Sequence, residues 1–223
     1  MKRVSLLFAS LALCSLAVSS CKALPFPDPH LEGAYGDALA KWTRKATIYT
    51  GLDTRAFVRV VYLSPEFIKA QGAELSMLRA ELPDQAAQTL ERLRAETATP
   101  TLFAIVYVAD KVSNDLESSS SVWRLALNLG LGEMTPISVT RFDRPFDAQL
   151  RTLYPYLDEY SVAYQIKFPS PGAPVAPPSS GAQPATLLPP PAPAGFEPSD
   201  GDLSMAGALG HLELHWVLDD KAR

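Results

Sequence analysis

Cysteine and histidine are scarce in this chain of 223 residues, and their scarcity excludes several kinds of active site. The two cysteines, Cys14 and Cys21, both lie near the amino terminus, so the rest of the chain has no thiol. A disulfide scaffold and a Cys–His catalytic pair are therefore excluded there. The three histidines are His30, His211 and His215, too few to suggest a Ser–His–Asp set. A phosphate-binding loop and a dinucleotide fingerprint are also missing.

Positive charge is in deficit as well. Lys2 and Arg3 are the only charged residues before Cys21, so the chain from Cys21 onward has 18 basic and 24 acidic side chains and a net charge of −6. No block of basic residues interrupts this acidic balance. The composition argues against a nucleic-acid partner and against a polybasic membrane patch. A chain of this length suits one domain, which must be stabilised by its apolar core.

The first 20 residues have the layout of a secretory signal peptide. Lys2 and Arg3 are followed by an uncharged, apolar run over residues 4–18, which is too short and wrongly flanked for a membrane-spanning helix. The run ends in Val18-Ser19-Ser20-Cys21, which resembles the lipobox of bacterial lipoproteins. The alternative is an ordinary signal peptide that happens to end near a cysteine.

The lipobox resemblance implies that residues 1–20 are removed and that Cys21 is the lipidation site. It implies a diacylglycerol thioether on Cys21 and a fatty acid such as palmitate on the new amino group, which together hold the protein on a bilayer. Cys14 is a rejected alternative, since it would follow the bulky Leu13 and leave a short apolar run. Because Lys22 stands where an aspartate signals inner-membrane retention in enteric-type lipoproteins, the resemblance favours the outer membrane, on its periplasmic or its surface face.

Residues 21–33 form the lipidated cysteine and a proline-rich tether. Pro25, Pro27 and Pro29 alternate, which favours a stiff polyproline II conformation that lifts the domain off the membrane. The same composition also suits a docking ligand for an aromatic groove, which is the alternative interpretation.

Residues 34–218 are predicted to form one mainly β domain. A short helix over residues 34–44 is expected to turn Tyr35, Leu39 and Trp42 to one side. A helical insertion over residues 65–96 begins at Ser64-Pro65-Glu66, where a hydroxyl cap and a proline mark a helix start. The first insertion helix is expected to bury an apolar stripe, and the second to turn its charges to solvent. The buried stripe consists of Phe67, Ile68, Gln71, Leu75, Leu78 and Leu82.

Runs rich in β-branched and aromatic residues predict the strands. Residues 102–109 are apolar throughout and indicate a strand that is buried on both faces. Residues 160–168 alternate strictly, which predicts one buried face, including Tyr160, and one exposed face. Residues 135–142 contain Pro136 and indicate an edge strand. The other predicted strands span residues 46–50, 54–63, 122–129, 203–205 and 211–218.

Residues 169–198 contain eleven prolines and a single charge, Glu197. No packed element suits this composition, so we predict a disordered insertion before the closing strands. Residues 219–223 are predicted to be an exposed tail of acidic and basic residues.

One cluster suggests chemistry. In His211-x-Glu213-x-His215 the three side chains share one face of a strand, and imidazole and carboxylate are zinc ligands. Since residues four apart on a strand lie about 13 Å apart, one ion would not bridge both histidines. A polar outer face is the preferred interpretation. The pairs Asp143 with Asp147 and Asp158 with Glu159 are treated as surface acids, Ser118–Ser121 as a flexible turn, and Trp42, Trp123 and Trp216 as core residues.

The sequence therefore predicts an antiparallel β-sandwich of seven to eight strands with a short helical insertion. The predicted function is that of a non-enzymatic envelope lipoprotein, an accessory subunit that binds a protein partner in an outer-membrane or secretion-type assembly. We expect no catalytic residue, no metal and no cofactor. The alternatives are a lipoprotein that binds a glycan, a lipid or a metal, and, less favoured, a hydrolase.

Overall fold

The computed structural model describes residues 31–171 and 198–218. The predicted signal peptide, Cys21 and most of the tether fall outside the described residues. So do residues 172–197 of the proline-rich segment and the tail, residues 219–223.

The described residues form four α-helices and nine strands. The helices are α1 (Gly33–Trp42), α2 (Pro65–Leu78), α3 (Pro83–Glu96) and α4 (Ala148–Leu153). The strands are β1 (Thr43–Thr50), β2 (Asp53–Tyr62), β3 (Thr101–Val108), β4 (Trp123–Asn128), β5 (Glu133–Met134), β6 (Ser138–Phe142), β7 (Val162–Lys167), β8 (Asp200–Gly207) and β9 (Gly210–Val217).

The strands form two antiparallel sheets. One sheet has five strands in the order β1-β2-β3-β7-β6, and the other has four in the order β5-β4-β8-β9. The prediction of a mainly β, antiparallel sandwich is confirmed. The strand predicted over residues 135–142 forms as β6 over Ser138–Phe142, and its start is later than predicted because the chain crosses between the sheets near Pro136. Strand β6 is an edge strand, as Pro136 indicated, and the short β5, which was not predicted, raises the number of strands to nine.

The inward faces of the two sheets meet in one apolar core. Trp216 of β9 is fully buried, and its ring centroid lies 6.2 Å from that of Tyr62 on β2. The Trp216 indole N–H donates to the Trp42 carbonyl oxygen at 2.8 Å, which joins the end of α1 to the closing strand. Trp42 and Trp123 are also buried, so all three tryptophans lie in the core as predicted.

The helices cover the outer face of the five-stranded sheet and the end of the sheet where β2 finishes. Tyr35, Leu39 and Trp42 of α1 are buried, as their spacing predicted. The Ser64 hydroxyl accepts the Phe67 N–H at 3.1 Å, which confirms the predicted helix cap. The predicted stripe of α2 is correct for Phe67, Ile68, Gln71 and Leu75 but wrong for Leu78 and Leu82, which are exposed where the two insertion helices meet.

Strand β7 departs from the predicted alternation because a second layer covers its other face. The Tyr154 ring stacks on Phe103 of β3, with centroids 4.2 Å apart. On the same side of the sheet, Ala163 is fully buried in register with Ile105. The strand begins at Val162, after Tyr160, and Tyr160 is exposed rather than buried.

Two buried tyrosine hydroxyls hold this helical layer together. Tyr35 donates to the Leu153 carbonyl oxygen at 2.8 Å, and the Gln71 side-chain amide donates to the Tyr154 hydroxyl at 3.1 Å. Burial raises the pKa of both tyrosines well above the ordinary value of 10.0, and nearby tyrosine hydroxyls add to the effect. Both phenols are therefore neutral in the folded protein.

Candidate functional site

The structure places His211, Glu213 and His215 on the outer face of the four-stranded sheet, as their spacing predicted. All three side chains of β9 are exposed. His215 Nδ1 lies 2.6 Å from Oδ1 of Asp202 on β8, because the two residues are paired across the strands. His211 Nε2 lies 3.4 Å from a carboxylate oxygen of Glu213.

These contacts make separate imidazole–carboxylate pairs. Within the described ranges, no group of three or more histidine, cysteine, aspartate or glutamate residues is placed to share a metal ion. A surface depression of about 210 Å³ adjoins the pairs. Its lining consists of Ala126, Asn128, Glu133, Asp202, Ser204 and Glu213. Such exposed groups exchange hydrogen bonds with water, so the arrangement provides a polar outer face.

The other acidic and serine residues of interest stabilise loops. Asp147 caps α4 by accepting the Leu150 N–H at 2.6 Å. Asp158 accepts hydrogen bonds from the backbone N–H groups of Tyr160 and Ser161. In the serine run, Ser121 donates to Asp115 at 2.9 Å. These carboxylates therefore fix the conformation of the chain around them.

A different surface stands out at one end of the five-stranded sheet. We define the loop end as the β1–β2 turn, the segment that follows β3 and the segment that precedes β7. The strand register brings these three segments together, since Thr50 pairs with Asp53, Ala56 with Val108 and Val106 with Val162. From β1 to β7 the strands are three spacings apart, about 14 Å.

Four large apolar side chains project from the loop end. Leu52 is fully exposed, and Tyr49, Val112 and Tyr160 expose 64%, 83% and 61% of their surface. Single exposed apolar residues are common on protein surfaces, whereas several at one end of a sheet form a candidate interaction site. The loop end is therefore the candidate binding surface.

Hydrogen bonds hold the residues of the loop end in place. The Asp110 carboxylate accepts the Val112 N–H at 3.2 Å and the Ser113 hydroxyl at 2.7 Å. The Asp158 carboxylate accepts the Tyr160 N–H at 2.9 Å. Gly51 has a φ of 61°, a conformation that suits glycine and allows the tight turn at Leu52. A surface that is already ordered loses little entropy when it binds a partner.

The phenol of Tyr160 remains neutral at physiological pH. A hydrogen bond to Glu159 and the negative charge of that carboxylate raise the pKa of Tyr160 above its ordinary value. Tyr160 can therefore present an apolar ring with a hydroxyl at its tip, a combination that is common at protein interfaces.

Sequence patterns did not identify the loop end. Tyr160 follows the alternation of β7 but lies beyond the end of the strand, and Val112 falls in a polar loop with no periodicity. A leucine directly after the glycine of a tight turn was the available signal, because turn positions are usually polar.

None of the helices within residues 31–171 and 198–218 is both long and apolar enough to cross a membrane. No protein-family model, no curated protein and no solved structure matches the chain.

Proposed function

We propose that the protein is a non-enzymatic lipoprotein of the cell envelope, anchored at Cys21 in the outer membrane. The domain binds an envelope protein through the loop end and acts as an accessory subunit of an outer-membrane or secretion-type assembly. The observation that carries the binding role is the group of four exposed apolar side chains on ordered loops.

The chemistry of the loop end suits a protein partner. Two of its four apolar residues are tyrosines, which supply large contact areas and lose little conformational freedom on binding. The charged residues Asp53, Asp110, Lys111 and Glu159 are exposed and adjoin them in the chain. An apolar centre with a polar rim is the usual composition of a protein–protein interface.

The position of the loop end supports the combination of anchor and binding surface. Strand β1 begins where α1 ends and runs toward the loop end over eight residues, about 26 Å. The Tyr35 ring of α1 packs beside Phe67, at the end of the sheet where β2 finishes. The described chain therefore begins at the helical end of the domain, and an anchor there leaves the loop end free to face a partner.

Cell fractionation tests the anchor. Cys21→Ser removes the acylated sulfur, so we expect the variant to leave the membrane fraction and to retain the unfolding midpoint of the parent domain. Mass spectrometry of the parent should find a diacylglycerol on the peptide that begins at Cys21. A variant that remains fully membrane-bound would count against the anchor.

A pair of matched double variants tests the binding surface. Leu52→Ser with Tyr160→Ser changes the loop end, and His211→Ser with His215→Ser changes the outer sheet face as a control. After crosslinking in cells, we expect the loop-end variant to lose a partner that the parent and the control retain. Loss from the control alone would move the interface to the outer face of the four-stranded sheet.

A further inference from the structure

At the junction of α2 and α3, apolar side chains are exposed and a carboxylate is largely buried. We call residues 77–82 the helical corner. Met77 and Leu82 expose 68% and 66% of their surface, and Leu78 is also exposed. The Glu81 side chain, in contrast, exposes only 12%. The corner thus turns three apolar side chains outward and a carboxylate inward, although exposed positions normally favour the charged residue.

The inward position of Glu81 is fixed by three donors. Its carboxylate accepts the Ser76 hydroxyl at 2.9 Å, the Thr89 hydroxyl at 3.0 Å and the Arg79 guanidinium at 3.4 Å. Partial desolvation opposes ionisation, but these hydrogen bonds and the charge of Arg79 lower the pKa of Glu81. The ionised carboxylate is therefore held against the two helices by its donors.

The backbone of the helical corner is equally well defined. The Glu81 N–H donates to the Ser76 carbonyl at 2.9 Å, and the Ala80 N–H donates to the Met77 carbonyl at 3.1 Å. Together they make a Schellman motif, which closes α2. Ala80 takes a φ of 50°, a left-handed conformation that is uncommon for alanine. The exposed apolar side chains are thus held outward by the fold.

The described chain begins in the same helical layer as the helical corner. Helix α1 packs on α2, since the Trp42 indole N–H donates to Glu66 at the start of α2 and the Tyr35 ring centroid lies 5.8 Å from that of Phe67. Leu31 precedes α1, and its backbone carbonyl lies directly against Gly36 of that helix. A side chain at residue 36 would overlap this carbonyl. Leu31 therefore lies on the helical layer, to which the helical corner also belongs.

The length of chain between the anchor and Leu31 limits how far the helical layer can lie from the bilayer. Ten residues separate Cys21 from Leu31, a distance of about 31 Å in polyproline II and at most about 36 Å when fully extended. The loop end lies a further sheet length away. Of the two exposed apolar groups described, the helical corner is the one that lies on the layer where the tether ends.

We propose that the helical corner is a second membrane contact, which inserts Met77, Leu78 and Leu82 into the interface of the phospholipid bilayer that holds Cys21. This inference rests on the proposed anchor for its geometry. The contact orients the domain, with the helices on the lipid and the loop end away from it. Apolar side chains at the level of the lipid headgroups bind a bilayer reversibly, and the lipid anchor provides the lasting attachment.

Fluorescence quenching by labelled lipids tests the contact. The chain that begins at an acylated Cys21 has no other thiol, so Met77→Cys and Val112→Cys each introduce a unique labelling site. Both positions are exposed, and Val112 on the loop end is the matched control. Each variant carries an environment-sensitive fluorophore and is reconstituted into vesicles of phosphatidylethanolamine and phosphatidylglycerol that contain nitroxide lipids. We expect about twofold or greater quenching at residue 77 and none at residue 112.

The same samples separate a failure of the inference from a failure of the anchor. Mass spectrometry reports the lipid on Cys21 independently of the fluorescence. Acylated protein without quenching at residue 77 would overturn the membrane contact and leave the anchor intact. Unacylated protein without quenching would overturn both. Equal quenching at both positions would mean that the domain prefers no face. A change in the fluorescence of residue 77 with protein concentration, in the absence of vesicles, would mean that the corner binds a second copy of the chain. Either result contradicts the proposal.

A double variant provides an independent measurement. Leu78→Ser with Leu82→Ser removes most of the apolar surface of the corner and leaves the core intact, since both side chains are exposed. In the Cys21→Ser background, we expect vesicle binding to weaken by about tenfold. Tyr49→Ser with Leu52→Ser is the control and should not change it. Equal binding by the two double variants would refute the contact.

Discussion

Replacing Trp216 by phenylalanine should reveal how strongly the closing strand depends on the helical layer. Trp216 is fully buried, and its indole N–H donates to the Trp42 carbonyl at 2.8 Å. Phenylalanine keeps an aromatic ring beside Tyr62 but removes the donor and part of the ring volume. A buried carbonyl left without its donor costs about 1–3 kcal/mol, and the lost packing adds about 1 kcal/mol. We therefore expect Trp216→Phe to lower the free energy of unfolding by about 2–4 kcal/mol.

Urea denaturation followed by far-ultraviolet circular dichroism measures this change, and Val217→Ala is the control. Val217 is the next residue of β9 and points to the exposed face, so its truncation should change the free energy of unfolding by less than about 0.5 kcal/mol. Equal midpoints for Trp216→Phe and the parent would refute the reasoning, since they would mean that the indole hydrogen bond and the core around it contribute nothing.

Three further changes test other parts of the fold. Ala80→Gly relieves the left-handed alanine at a φ of 50°, so thermal unfolding should show a stabilisation of about 1 kcal/mol; a lower midpoint would contradict the Schellman assignment. Gly207→Ala places a Cβ against the Val122 carbonyl oxygen, so urea unfolding should show a loss of about 1–3 kcal/mol, and an unchanged midpoint would be inconsistent with the β4–β8 pairing. Above pH 10 the unfolded chain releases phenolic protons that folded Tyr35 and Tyr154 retain. Stability should therefore fall by about 1.4 kcal/mol per pH unit for each tyrosine, and the slope should be smaller in Tyr154→Phe; equal slopes would contradict the burial.

Local patterns predicted most of the elements because their causes are local. The hydroxyl of Ser64 and the ring of Pro65 determine where α2 begins, whatever the rest of the chain does. The continuous apolar run of β3 predicted burial on both faces, and the structure places that strand in the interior of the five-stranded sheet. The alternation of β9 predicted its inward tryptophan and leucines equally well.

The errors have a common physical origin in contacts between distant segments. Ala163 is buried because residues around Tyr154 cover it, and nothing in the alternation of β7 reports that layer. Leu78 continues the periodicity of α2, but the helix ends there and the chain turns away from the core. A periodic pattern therefore predicts which face a residue occupies, and the tertiary fold decides whether that face is covered.

The same limit applies to the candidate binding surface. His211 and His215 were candidate metal ligands because histidine is rare in this chain. The structure places them in separate imidazole–carboxylate pairs on a polar face. Leu52 and Val112 are common residue types that become notable only when the strand register brings them to one end of the sheet.

Site-specific photo-crosslinking in cells is the most direct test of the proposed function. A photoreactive amino acid replaces Leu52 at the loop end in one variant and Glu213 on the outer sheet face in another, and both retain Cys21. The account predicts that the variant at residue 52 crosslinks to one envelope protein in the membrane fraction, whereas the variant at residue 213 does not. A crosslink from residue 213 alone, or none from residue 52 in membrane-bound protein, would contradict it.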